Sequence, residues 1–234
     1  MLSSFISGII NYIYPSKCPS CDRETDNFMV APFCKNCWSG IKKYSGPSCR
    51  ICSTPFTSEY STVCSDCLKR PPSFSKVLSF GLYDRVLAAA INHYKFYGIK
   101  RLYRPLGELL FALEMPEIDA IVPVPLSITG LRKRGFNQAL LISKIVSGHM
   151  KKPMIIDGLI KQKDTHAQIG LSAKERAANL KGAFVTRRDF SGKMLMLVDD
   201  VMTTGATANE CSKQLMNAGA RDVVVITLAR AGRC

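Results

Sequence analysis

The sequence predicts an α/β protein: a parallel sheet flanked by helices, preceded by a small N-terminal double zinc ribbon. Three observations carry that reading. Eight of the ten cysteines fall before residue 68, in four pairs of the form C-x2-C. From about residue 76 onward, apolar runs of strand length alternate with helical patterns, which is the chain order of a parallel sheet. Between the two regions, Pro71 and Pro72 followed by Ser73 punctuate the chain as a linker does. The expected division is 1–72, a ribbon module with an N-terminal helix, and 73–234, the sheet domain.

The cysteine pairs are Cys18/Cys21, Cys34/Cys37, Cys49/Cys52 and Cys64/Cys67, and an offset of 31 separates both Cys18 from Cys49 and Cys21 from Cys52. This is a tandem repeat. Each pair presents two thiolates, and two pairs joined by a hairpin complete a tetrahedral four-sulfur zinc site. A disulfide framework is the alternative. Residues 1–14, however, are apolar without a positive leading region or a small-residue cleavage site, and Pro15 ends them, so they read as a packing helix rather than an export signal. The thiols are then expected to meet a reducing, cytoplasmic environment and to hold two structural zinc ions. Four sulfurs close the coordination sphere against catalytic water. Zinc binding, worth on the order of 10 kcal/mol per site, replaces the core that a segment with few aliphatic residues cannot build.

In the second region, 76–83 reads as a strand, Asp84 as the N-cap of a helix to about residue 96, and Gly98 as the break before a helix to about 113. The apolar run 118–124 is a strand that ends in Pro123, Val124 and Pro125. A helix over 136–150 follows, then a short strand near Met154, a polar stretch over 161–180 and a strand over 193–198. The chain closes with a helix to Ala218, capped by Gly219, and a strand over 222–228.

The sharpest chemistry lies in MLMLVDDVMTTGAT, residues 194–207. A buried strand ending in Asp199 and Asp200 places two carboxylates at the carboxyl edge of a sheet, where open α/β folds bind ligands. Thr203, Thr204, Gly205, Ala206 and Thr207 then offer hydroxyls and backbone N–H groups at a helix N-terminus, a setting suited to a phosphate monoester. Carboxylates repel phosphate but accept hydrogen bonds from vicinal hydroxyls. The pair is therefore expected to face a ribose while the loop grips its 5-phosphate, with Mg2+ nearby through water. A solvated Asp-Asp turn is the plainer alternative, and it explains neither the threonines nor the doubled charge.

These residues resemble the phosphoribosyl diphosphate (PRPP) motif of type I phosphoribosyltransferases. Together with the four C-x2-C pairs, Pro-Val-Pro-Leu at 123–126 and Arg-Gly-Phe-Asn-Gln at 134–138, they resemble the ComF family of competence proteins over nearly the whole chain. The resemblance implies a phosphoribosyltransferase-like sheet domain. It also implies that Pro123, Val124, Pro125, Leu126 and Ser127 form a pyrophosphate-binding loop, and that 161–180 closes over PRPP. The family's implied role is in natural transformation, where incoming single-stranded DNA is handled in the cytoplasm. Arg132, Lys133, Arg134, Lys161, Lys163, Lys174 and Arg176 surround the motif as neutralising groups for a diphosphate. Asp199 and Asp200 are the catalytic candidates for displacement of diphosphate at C1 of the ribose, which needs no side-chain nucleophile. Only 229–234 follow the last strand, so the second-substrate pocket is expected from upstream residues, with the ribbons as a lid.

Composition bounds the partners. At 47% hydrophobic and 21% charged residues the chain is globular, and no apolar run reaches the roughly 18 residues of a membrane span, so membrane insertion is not expected. The formal charge of +14 falls to about +10 once two Zn2+ and eight thiolates are counted. The surplus sits in 85–193, where 19 basic residues face 8 acidic ones. Three readings share these features: a phosphoribosyltransferase acting on PRPP, a factor that binds single-stranded DNA, and a zinc-ribbon docking module for a helicase-like uptake motor. Tyr94, Phe96, Tyr97 and Tyr103, interleaved with Lys95, Lys100, Arg101 and Arg104, suit base stacking, although an amphipathic core helix with solvated cations is the favoured reading of the aromatics. Cys211, Cys234 and the three histidines show no ligand spacing.

Overall fold

The structure, a computed structural model, describes residues 17–58, 60–164 and 179–232. The helix expected over 1–14 lies outside them.

Two short helices, α1 (Lys35–Ser39) and α2 (Ser65–Lys69), start on Cys34 and Cys64 as N-caps with nearly equal dihedrals, φ −75° and ψ 158° against φ −75° and ψ 156°. The repeat extends to the knuckles. Asp22 and Ser53, 31 residues apart, both take left-handed conformations, at φ 60° and 53°, and return N–H bonds to the Cys18 and Cys49 carbonyls.

A four-stranded parallel sheet follows, in the order β1 (Lys76–Leu82), β6 (Asp222–Arg230), β5 (Met194–Met202) and β2 (Ala120–Pro123). The central strands are buried on both sides, which is why both read as almost continuous apolar runs. The strand expected near Met154 is a single parallel bridge to Ile121. Helices α3 (Arg85–Lys95), α4 (Tyr103–Leu109) and α6 (Gln138–Met150) cover one face, packing Leu87, Leu106 and Ile142 on Met196, Val198 and Ile226. Helix α7 (Ala206–Asn217) covers the other, with Cys211 and Leu215 on Leu195, Leu197 and Val225. Cys211 is therefore a core residue.

Each ribbon joins one of these two cores. Cys18, Phe33 and Cys34 pack with the α3 face, whereas Cys49, Cys52 and Cys67 pack with the α7 face. Between them the chain runs along β1, the edge strand: Tyr44 N–H donates to the Phe80 carbonyl at 2.8 Å, and Val77 N–H to the Ile51 carbonyl at 2.7 Å. The Ser53 hydroxyl adds a bond to the Val77 carbonyl at 2.6 Å. The ribbons thus clasp an edge that would otherwise offer unpaired backbone to other chains.

Further elements differ from the sequence expectation. The strand expected over 193–198 continues to Met202, because β6 pairs with it as far as Arg230. The helix expected to about residue 113 breaks into a 3-10 turn at Lys100–Leu102, α4 and a second 3-10 turn at Leu110–Ala112. An additional helix, α5 (Ile128–Arg134), was masked by Gly130 and three consecutive cations, yet the Ser127 hydroxyl caps it by accepting the Gly130 N–H at 3.1 Å. A two-stranded antiparallel pair, β3 (Ile160–Lys161) with β4 (Phe184–Val185), flanks α7.

Candidate functional site

The eight cysteines form two clusters, Cys18, Cys21, Cys34 and Cys37, and Cys49, Cys52, Cys64 and Cys67, with all sulfurs in each cluster within 4.8 Å of one another. A tetrahedral Zn–S distance of about 2.3 Å requires sulfurs about 3.8 Å apart. The Cys21–Cys34 and Cys52–Cys64 separations, both 3.6 Å, meet that requirement. Burial works against the Cys18 and Cys52 thiolates, but backbone N–H groups around Cys18, and the Thr54 hydroxyl and N–H at Cys52, outweigh it and bring the two to about 7 and about 6. Burial, then the neighbouring sulfurs, pushes Cys37 and Cys67 up. Four thiolates cannot share so small a volume without a cation, and both donor sets fit zinc.

The second site lies where β5 outruns β2. Val198 is the last β5 residue paired to β2, through Pro123, so Asp199 and Asp200 emerge at the open carboxyl edge while still paired to β6 on the other side. Successive strand residues point to opposite faces, and the two carboxylates accordingly part. Asp200, only 5% exposed, turns to the α3 face, where the Lys95 ammonium sits 3.1 Å from Oδ1 and 2.9 Å from Oδ2. Asp199 turns to the α7 face and lines a small cleft with Thr203, Thr204, Gly205, Thr207 and Thr227. Of the two carboxylates expected to face one ribose, Asp199 lines the loop cleft and Asp200 pairs with Lys95.

The loop itself has the conformation its residues suggest. Gly205, at φ 83°, N-caps α7, and the Thr204 hydroxyl accepts the Ala206 N–H at 3.4 Å. The first-turn N–H groups of α7 have no acceptor within the helix, and Ala206, Thr207 and Ala208 line the cleft. A Cβ at Gly205 would meet the Met202 methyl at 2.5 Å, so no other residue fits there without moving Met202.

Burial, and then the adjacent Asp200 charge, push the Asp199 carboxyl up to about 7, with Lys95 only partly opposing. A carboxyl whose folded value exceeds its unfolded one binds more protons in the native state, so stability falls as pH rises through that interval. Relative to Asp199→Asn, the unfolding free energy of the wild type should fall as pH rises from about 4 to about 7, by at most about 1.4 kcal/mol per pH unit, and level off above that. Denaturant titrations of both proteins across that range check this, and parallel pH dependences would contradict it.

Pro123, Val124, Pro125, Leu126 and Ser127 connect β2 to α5. Val124 N–H donates to the Val198 carbonyl at 2.9 Å, and the Asn137 amide donates to the Val124 carbonyl at 3.0 Å. Asn137 also caps α6, so the Arg-Gly-Phe-Asn-Gln segment sets the path of this loop. Beside it opens a cleft of about 400 Å3, lined by Pro125, Leu126, Ser127, Lys161, Gln162 and Asp164 among others. The Thr129 hydroxyl donates to Asp164 at 2.6 Å, and Ser127 and Thr129 hold that carboxyl below its usual range. Lys161 is half-buried over the Phe184 ring, and burial lowers its ammonium against the opposing fields of Asp164 and Asp199. Arg134 donates to Gln138 Oε1 at 3.2 Å and lies over Phe96 at 5.8 Å. Arg132 and Lys163 are exposed, and Arg176 lies outside the described residues. Among the described residues, those lining the two clefts all lie beyond the ribbons.

Comparison with known proteins bears on the ribbons and on the family of the whole chain. Residues 9–68 match the double zinc ribbon domain family. Over 211 residues the chain is 37% identical to competence protein F of Haemophilus influenzae, spanning 85% of this chain and 90% of that protein. The chain belongs to the competence protein F family. This family member is also 31% identical to the DNA utilization protein YhgH of Escherichia coli strain K12, over 78% of this chain and 83% of that protein. Competence protein ComFC of Streptococcus pneumoniae is 28% identical over 84% and 87%. Among solved structures it overlaps the glutamine PRPP amidotransferase from B. subtilis complexed with ADP and GMP, at 24% identity and TM-score 0.38, over 53% of this chain and 25% of that one. A purine phosphoribosyltransferase from Pyrococcus horikoshii overlaps at 14% identity and TM-score 0.33, over 58% and 84%.

Sequence reasoning about this family member missed two residues that the geometry makes central. Lys95 was grouped with cations for stacking, and its partner 105 positions away, Asp200, could not be read from spacing. Arg230 ends a strand whose interior is almost wholly apolar, and a cation at that end was the available signal.

Proposed function

We propose that this protein acts in competence, at the cytoplasmic step that handles incoming single-stranded DNA, through a pocket that binds PRPP or a related ribose phosphate. The observation that carries the reading is the convergence of Asp199, the threonine-glycine loop and the N-terminus of α7 on one cleft at the carboxyl edge of the sheet. Asp199 accepts the ribose hydroxyls, the loop N–H and hydroxyl groups hold the 5-phosphate, and Lys161 and Arg134 neutralise the diphosphate. Mg2+, when bound with the ligand, would supply charge neutralisation at the diphosphate, with Asp199 the available carboxylate because Asp200 is engaged by Lys95. The pairing of motifs with membership of the competence protein F family supports the biological role. Turnover is a second reading, favoured by the same placement of Asp199, and release of diphosphate from PRPP with a suitable acceptor tests it.

For DNA, the structure sorts the aromatics. Tyr94 is buried, with its hydroxyl on the Gln138 carbonyl at 2.9 Å, so it belongs to the core. Phe96 and Tyr97 are 65% and 72% exposed, and Lys95 and Arg134 lie over the Phe96 ring. These two rings are the proposed stacking platform, where each base stacked contributes about 1–3 kcal/mol. Phe96→Ala with Tyr97→Ala should weaken oligothymidine binding at least about tenfold. Wild-type affinity should fall with salt at a log-log slope of about −0.7 per phosphate neutralised. Fluorescence anisotropy measures both, and salt-insensitive binding that survives the double change would remove this surface from the account.

A further inference from the structure

Arg230 is 1% exposed at the end of β6, and each hydrogen bond described for its guanidinium goes to a carbonyl or a hydroxyl. Nε donates to the Cys52 carbonyl at 2.9 Å and Nη2 to the Thr54 hydroxyl at 2.8 Å. Nη1 donates to the Met202 carbonyl at 2.9 Å, to the Thr203 carbonyl, and to the Ala231 carbonyl at 3.1 Å. The first two acceptors lie on and just past the Cys49–Cys52 knuckle of the second zinc site, and Met202 and Thr203 open the phosphate-gripping loop. The connection reaches a metal ligand directly, because the Thr54 hydroxyl also lies 3.1 Å from Cys52 Sγ.

A buried guanidinium satisfied from two sides holds both sides in register. If either set of acceptors moves, donors of a charged group are left unpaired in the interior, which is strongly unfavourable. The knuckle is also held by its metal and by its contacts with β1, and partners beyond the ligands tune a metal site in both directions. The first ribbon is joined differently: the Arg101 guanidinium bonds the Ala31 carbonyl at 3.0 Å and Phe33 packs against His93, both on the α3 face.

We infer that Arg230 is a positioning residue through which the second zinc site, but not the first, sets the conformation of the loop at 203–207. The two zinc sites of the repeat are then unequal in function: the first is a folding device, and the second also preorganises the phosphate end of the ligand pocket. This assigns a role to the ribbons in ligand binding without their lining the pocket. It rests on the loop's geometry, so it can fail while the PRPP reading stands, and the reverse.

Backbone amide exchange on the full-length, zinc-loaded protein tests it, read at 203–207 and, as an internal reference, at 195–198 and 223–226 in the sheet centre. Cys64→Ser with Cys67→Ser removes the second zinc, and Cys18→Ser with Cys21→Ser removes the first, with metal content counted by native mass spectrometry. The second-site variant should speed exchange at 203–207 at least about tenfold with the sheet centre unchanged, while the first-site variant leaves 203–207 as it was. Equal protection of 203–207 in both variants, with one zinc lost from each, overturns the proposal. If the second-site variant loses protection throughout, Thr54→Val with both zincs retained decides. Faster exchange confined to 203–207 supports the link through Arg230, and unchanged exchange there rejects it.

Discussion

Stripping zinc is expected to unfold residues 17–70 and to release β1 with them. The expected loss is on the order of 10 kcal/mol for each four-sulfur site, more than the 5–15 kcal/mol by which an ordinary domain is stable can absorb twice. The apolar residues of the ribbons are few, and in the structure they pack largely against the sheet domain: Phe33 joins the α3 face, and Ile51, Phe56 and Val63 pack against the α7 face. Without metal, eight thiols crowd two small volumes, and the chain that pairs with β1 through Tyr44, Ile51 and Ser53 loses its anchor points. A chelator titration followed by native mass spectrometry and circular dichroism should show two zinc ions leaving per chain, with a loss of thermal stability at each step. A chain that keeps its melting temperature with no metal bound would contradict this account.

Separating the two aspartates is expected to give different failures. Asp199→Asn keeps the size of a half-buried side chain and removes the charge that accepts the ribose hydroxyls. It should leave the fold intact and weaken ribose-phosphate binding by about 2–4 kcal/mol, roughly 30- to 1000-fold. Asp200→Asn instead leaves the Lys95 ammonium without its counter-charge. Breaking such a pair strands a charge in the interior, and because the Lys95 side chain is 20% exposed the loss should be about 2–4 kcal/mol of stability rather than the full effect of a sealed site. Adding Lys95→Met to Asp200→Asn should recover much of that stability. Thermal melts of the three variants decide. Equal destabilisation by both single changes would mean that the division of labour between the carboxylates is wrong.

The contrast with the sequence reading is instructive at this pair. Asp is a poor strand former, so the acidic pair reads as the point where the strand stops. Pairing with β6 out to Arg230 overrides that preference, and once the strand continues, alternation sends neighbouring side chains to opposite faces. The elements themselves were legible because their signals are local: apolar runs for β5 and β6, Gly205 and Gly219 around α7, and a 31-residue cysteine offset that reappears in the conformations of Asp22 and Ser53. What stayed hidden depends on long-range partners. Spacing shows that Cys49 and Cys52 share a metal with Cys64 and Cys67 but not which face of the sheet the ribbon covers. Nor does it show that Arg230 reaches back 178 residues to the Cys52 carbonyl. Helix α5 was missed for a local reason, since Gly130 and consecutive cations argue against a helix until the Ser127 cap is seen.

The central claim is that Asp199 and the loop at 203–207 form one pocket for a ribose phosphate. Isothermal titration of PRPP with Mg2+ into zinc-loaded wild-type protein and Asp199→Asn tests it most directly. The account predicts saturable binding to the wild type at one ligand per chain and at least about 30-fold weaker binding to the variant. No heat of binding with the wild type, or equal affinity in the two proteins, would contradict it.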